Sequence, residues 1–207
     1  LAENETDIIR MCHPRMAPTD KRLHAAHFQS ETWQEGDHRF TRKIVKAGGR
    51  ELTSLDRRDR NVDTTWHLEH LLKDVDDLEA YLQLPDEVFD RDVDISPLEQ
   101  AEREVGDSGI VMVDTSDPIC AAAELFEMGT YLITAMTERE LFHRLLEKLA
   151  RASLRLTEKV SKAFEGHLWR ICGPEYAGEP YLPPELFREY VVRYTGPMVR
   201  AIQKHGG

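Results

Sequence analysis

From Gly109 to Gly207 the sequence sets out one order of elements, and that order constrains the fold more than any other feature. Gly109-Ile-Val-Met-Val113 is a continuous apolar run of the length of a buried parallel strand. It ends at Asp114-Thr-Ser-Asp117. Pro118 stands where the first helical position would be, and Gly129 closes that helix after Met128. A longer helix opens on the capping box Thr137-Glu-Arg-Glu140, with Leu141, Leu145, Leu149, Ala152, Leu156, Val160 and Phe164 at a 3.6-residue period and Gly166 as its stop. His167-Leu-Trp-Arg-Ile171 reads as a second short strand. Pro183-Pro184 begins a helix reaching His205, which Gly196-Pro197 should kink or break. Strand, crossover helices, strand, helix is the grammar of a parallel α/β sheet.

Upstream the pattern is weaker. The first forty residues show little apolar periodicity and read as loop, with one short helix around Asp20 to Trp33. Arg42 to Lys46, Gly48-Gly49 and Glu51 to Leu55 resemble two strands joined by a glycine turn, and Asp63 to Leu68 alternates as a third. Residues 40–70 are therefore expected to form a small antiparallel excursion. Asp74 offers an N-cap to Val75–Leu82, and Ser96-Pro97 starts a short helix through Glu104.

Composition narrows the function. With 41% hydrophobic and 31% charged residues, the 207-residue chain suits a single globular domain over 1–207 with a real core. Its formal net charge of −11 disfavours nucleic acid and anionic membranes as partners, because phosphates repel such a surface. Cys12, Cys120 and Cys172 form no CxxC pair and read as reduced thiols, which suits the cytoplasm. No apolar run approaches the length needed to span a bilayer. A first residue other than Met, and an end at Gly206-Gly207 where another strand should follow, suggest a piece of a longer chain.

The string Leu168-Trp-Arg-Ile-Cys-Gly-Pro-Glu-Tyr-Ala-Gly178, then Pro183-Pro-Glu-Leu-Phe-Arg-Glu-Tyr190, then Tyr194 to Gly207 resembles the uroporphyrinogen decarboxylase superfamily. Asp56-Arg-Arg-Asp, Thr64-Thr-Trp-His, Glu69-His and Asp76-Asp-Leu-Glu-Ala-Tyr81 resemble the excursion and following helix of its methyltransferase-like members. The resemblance implies an α/β fold that is part of a (β/α)8 barrel of that type, with residues 109–207 as barrel units. Such a barrel takes about 250 residues, so this chain would supply only part of one.

The implied chemistry is methyl transfer involving a corrinoid (cobalamin) cofactor, with decarboxylation of a tetrapyrrole's acetate arms, a carboxy-lyase reaction of porphyrin biosynthesis, as the alternative. A non-catalytic fragment or binding module of the same fold is the third. The arginine-rich loop and catalytic aspartate of true decarboxylases have no match. The His-x-Cys motif that would bring zinc could lie only beyond Gly207. Partners would be a small-molecule, tetrapyrrole or corrinoid substrate and a corrinoid protein, and a homodimer is compatible with the resemblance.

Barrel enzymes carry their reactive groups at the carboxyl ends of strands. That rule selects Asp114 and Asp117 after the first strand, and Glu175 and Tyr176 after the second. Asp114, Glu175 and Tyr176 are the catalytic candidates, and Asp117, Glu124 and Arg170 the substrate-binding ones. Asp117 before Pro118 also reads as a plain N-cap. Glu175 and Tyr176 could merely structure a Gly/Pro loop, and Glu124 could be a solvated helical residue. Arg170 either pairs with a carboxylate such as Asp114 or snorkels outward. A carboxylate at 175 would repel a polyanionic porphyrinogen and favours a less anionic substrate. His24 with His27, and His67 with Glu69 and His70, lack a third ligand at a recognisable spacing, so no metal site is assigned.

Overall fold

The computed structural model describes residues 7–207. In chain order the elements are β1 (Ile8–Cys12), β2 (Arg15–Pro18), α1 (Lys21–His27), β3 (Phe28–Glu35), β4 (His38–Ala47), β5 (Arg50–Asp59), β6 (Thr65–Glu69) and α2 (Val75–Leu82). There follow β7 (Arg91–Asp94), α3 (Ser96–Val105), β8 (Gly109–Ser116), α4 (Pro118–Ala123), α5 (Met128–Thr137), α6 (Arg139–Ala163), β9 (Leu168–Cys172), α7 (Pro184–Phe187) and α8 (Arg193–Lys204). They form two compact units, one of residues 7–19, 90–120 and 149–207, the other of residues 20–89 and 121–148.

The first unit is built on a three-stranded parallel sheet in the order β1-β8-β9. Alternation along β8 sends Val111 and Val113 to one face, where they join Leu98, Ala101 and Val105 of α3, Val160 of α6 and Phe164 just after it in a buried cluster. Burying side chains of this size contributes roughly 1.5–3 kcal/mol each. The opposite face is different. Ile9, Met11, Ile110 and Leu168 lie there exposed, Ile110 at 49%. The apolar run Gly109–Val113 is thus a parallel strand buried on one side, not on both.

The barrel implied by the resemblance is corrected here. Only three strands run parallel, the other two sheets are antiparallel, and no eight-stranded parallel barrel is formed by the described residues. The fold is mixed α/β with three sheets. The physical reason lies in the turns. A barrel needs a crossover after every strand, whereas this chain makes tight reversals at residues 36–37 and at Gly48-Gly49, which force antiparallel pairing.

The second unit holds the four-stranded sheet β3-β4-β5-β6. Gly48 and Gly49 both have positive φ, as a two-residue hairpin turn requires, and a Cβ on Gly48 would lie 2.8 Å from the Ala80 Cα. That close approach seats the turn on α2, whose Leu78, Ala80 and Tyr81 are buried. Asp74 accepts from the Asp77 N–H at 2.8 Å, which is the expected cap, and the Asp77 carboxylate accepts from the Lys73 N–H at 3.0 Å, one residue before it.

Several boundaries differ from the sequence reading. Residues 7–40 hold three complete strands and the start of a fourth, and the helix there stops at His27. The excursion has four strands rather than three. The helix from Pro118 breaks after Ala123, because Leu72 pairs with Leu125 and Phe126, and Gly129 lies in the first turn of α5, capped by Glu127. Thr137 opens no capping box. It ends α5, and its hydroxyl donates to the Ile133 carbonyl at 2.9 Å. Pro197 lies inside α8 without breaking it, and the irregular turn is a π segment at Arg188–Val192. Among the described residues no helix is long and apolar enough to cross a membrane.

Candidate functional site

The carboxyl ends of β1, β8 and β9 form one edge of the first unit. Parallel sheets bind ligands outside such ends, where the loops diverge. Because Val111 and Val113 face the helices, Asp114 points to the other face, and the register sets Arg170 of β9 directly opposite. Arg170 donates from Nε to Asp114 Oδ1 at 2.5 Å and from Nη2 to Oδ2 at 3.0 Å, a bidentate pair. The Asp114 side chain is nearly buried, while Arg170 is half exposed. This hydrogen bond to Asp114, with its charge, raises Arg170 above the usual guanidinium range.

His13 completes the row. It follows β1 by one residue, its Nδ1 is 3.1 Å from the Asp114 main-chain oxygen, and its Nε2 is 3.9 Å from Asp114 Oδ2. Sequence reasoning missed it because the strand before it, Ile-Ile-Arg-Met-Cys, is too short and too polar at its centre to register as periodic. Only the apolar pair Ile8-Ile9 hinted at a strand.

Asp117 lies beneath the edge, fully buried. Its Oδ1 accepts from the Cys120 N–H at 2.8 Å, which makes it the N-cap of α4, and its Oδ2 accepts from the Thr195 hydroxyl of α8 at 3.3 Å. Its own N–H donates to the Cys172 carbonyl at 2.9 Å, tying the ends of β8 and β9 together. Burial pushes its carboxyl up from 3.8 to about 6, the charge of Glu175 adds to the rise, and the cap bonds oppose it. A group with no exposed surface touches no ligand in this conformation, so Asp117 organises the edge from below.

Gly173 explains how the strand end closes over that carboxyl. Its φ is +116°, and a Cβ would lie 2.1 Å from the Cys120 Cβ and 2.6 Å from Asp117 Oδ1. Glu175 is exposed, and its Oε2 accepts from the Gly173 N–H at 3.0 Å, a turn-forming contact. Tyr176 is half-buried in the same 3-10 turn, Pro174–Ala177. Glu124 is separate. It belongs to the second unit, is exposed, and its carbonyl is 3.4 Å from His70 Nδ1.

The structure therefore joins Asp114 with Arg170, sets Asp117 under them with Glu175 close enough to act on its charge, and leaves Glu124 out. His24 stacks on Phe28, His27 meets the Lys46 carbonyl, and His67 pairs with Asp56. Among the described residues no three His, Cys, Asp or Glu side chains come together as a metal site. Among the described residues, this edge brings the His13 imidazole beside the Asp114–Arg170 ion pair. No family model, no curated protein and no solved structure matches the chain.

Proposed function

We propose that the chain is an enzyme that binds a small molecule against the Asp114–Arg170 pair at the carboxyl edge of its parallel sheet and moves a methyl group from that molecule to an acceptor. One observation carries this reading: two adjacent parallel strands end in a bidentate ion pair whose carboxylate is nearly buried and whose guanidinium is half exposed. A pair locked by two charge-assisted hydrogen bonds is rigid, and a rigid polar edge can orient a substrate's heteroatom.

The acceptor class is a corrinoid or a thiol. A corrinoid would reach this edge as a co-substrate, the chain's own residues binding and orienting the methyl donor. Porphyrinogen decarboxylation is the weaker reading. Arg170 is already committed to Asp114, and Glu175 adds negative charge, so a polyanion would gain little from this pair.

The test is a visible-absorption assay of the full chain with cob(I)alamin and simple O-methyl, N-methyl and S-methyl donors. Conversion to the methylated corrinoid spectrum with at least one donor, abolished by Arg170→Ala, supports the reading. No spectral change with any donor sinks methyl transfer to a corrinoid, and equal rates in Arg170→Ala remove the ion pair from the site.

A further inference from the structure

We propose that His13 is the acid–base residue of this edge, its Nε2 exchanging a proton with the heteroatom from which the methyl group departs. The inference rests on the reading above for the identity of the reaction, while its geometry stands by itself. A main-chain carbonyl only accepts hydrogen bonds, so the contact of Nδ1 with the Asp114 oxygen at 3.1 Å puts the proton of the neutral ring on Nδ1. Nε2 then holds the lone pair.

That nitrogen is 3.9 Å from Asp114 Oδ2, and the His13 side chain is 60% exposed. A proton taken by Nε2 is met by a carboxylate already fixed in place by Arg170, and the imidazolium so formed faces a position that a substrate can reach. The arrangement spreads one role over each of three neighbouring strands. β1 leads to the imidazole, β8 supplies both the carbonyl that sets its tautomer and the carboxylate beside it, and β9 supplies the guanidinium that holds the carboxylate.

The other imidazoles of this unit contrast with it. His167 faces the Glu165 carbonyl through Nδ1 and Glu102 Oε1 through Nε2, and His205 faces Glu165 Oε1. Both side chains are at most 20% exposed.

The proton transfer closes the methyl-transfer step. Nε2 first takes a proton from solvent or from a thiol acceptor; the bonding pair between carbon and heteroatom then stays with the heteroatom, which takes that proton from Nε2, while the methyl carbon bonds to the electron pair of the acceptor. The substrate class is therefore one whose leaving group needs that proton: an aryl or alkyl methyl ether, or a methylamine.

The experiment has two arms. In the first, nitrogen-15 NMR of the histidine-labelled full chain, assigned by His13→Asn, reads the tautomer, and diethyl pyrocarbonate followed by mass spectrometry reads nitrogen reactivity. An Nδ1–H ring modified at least about tenfold faster than His167 and His205 is expected, and an Nε2–H ring or a slower reaction overturns the assignment. In the second, the methyl-transfer assay compares the wild type with His13→Ala. A fall in kcat of about 100-fold or more, with KM little changed and activity partly restored by added imidazole, is expected. Unchanged kcat, or no rescue, overturns the catalytic role. A wild type inactive in the second arm sinks the methyl-transfer reading alone, and the first arm still decides whether His13 is the poised base.

Discussion

Replacing Asp117 by Asn should make stability relative to the wild type climb with pH, so that the substitution is better tolerated at neutral pH than in acid. Asp117 is fully buried and its carboxyl is raised from 3.8 to about 6, chiefly by that burial. In the unfolded chain it ionises at its ordinary value, so between about pH 4 and pH 6 the unfolded state has lost this proton while the folded state keeps it. Each step up in pH through that window favours unfolding. The contribution is fully present below 3.8 and is lost as pH rises through about 6, and at about 1.4 kcal/mol per tenfold change in proton affinity its size is about 3 kcal/mol.

Asn removes the charge and keeps the shape. Its carbonyl can accept from the Cys120 N–H, and its amide can donate to Thr195, whose hydroxyl turns to accept. Urea unfolding followed by circular dichroism at a series of pH values measures the difference between variant and wild type. The stability of Asp117→Asn minus that of the wild type should rise by up to about 3 kcal/mol between pH 4 and pH 8. A difference that stays flat, or that falls as pH rises, would refute the burial argument and show a carboxylate that is better solvated than its position implies.

Two further substitutions test the packing. Gly173→Ala should cost at least about 2 kcal/mol, because its φ of +116° and the 2.1 Å approach to the Cys120 Cβ combine strain with overlap, whereas Gly36→Ala, at φ +58° with nothing within 4 Å, should cost only about 1 kcal/mol. Equal losses in urea unfolding would deny the close approach. Leu98→Ala, in the buried cluster against β8, should cost about 2–5 kcal/mol, while Ile110→Ala, on the exposed face of that same strand, should cost under about 1 kcal/mol. A large loss at Ile110 would mean that this face is covered in solution.

Elements whose signals are local were legible in the sequence. Asp74 capping α2 and Gly48-Gly49 turning β4 into β5 each depend on residues within a few positions of one another. What failed depended on distant partners. The helix from Pro118 stops after Ala123 because Leu72, some fifty positions upstream, binds the Leu125 carbonyl, and nothing in the string around Gly129 encodes that contact. Thr137 has the composition of a capping box, but α5 reaches it from the other side. β2 and β7 are four-residue strands of mixed polarity that exist because they pair with each other, and each is too short for a period-two pattern to register.

The site shows the same division, with one consequence for how far a strand-end rule reaches. Expecting carboxylates at strand ends found Asp114, and allowing Arg170 to turn toward it found the pair, because residues in register on adjacent strands need only the correct parity to meet. The strand-end rule by itself does not rank Asp114 against Asp117, three residues on; the proline after Asp117 does, by marking an N-cap, and the structure places one at the edge and seals the other beneath it. The deciding quantity is the side to which each carboxylate turns. Asp114 is still within the strand and opposite in parity to Val111 and Val113, whereas Asp117 follows the strand and turns inward to the N–H groups of α4. Parity within the strand and capping after it have opposite electrostatic results: Asp114 is hydrogen-bonded to a guanidinium that reaches solvent, while Asp117 is desolvated and driven toward its neutral form. Two identical side chains three residues apart thus have opposite surroundings, and the local signal that separates them is the N-cap position of Asp117 before Pro118.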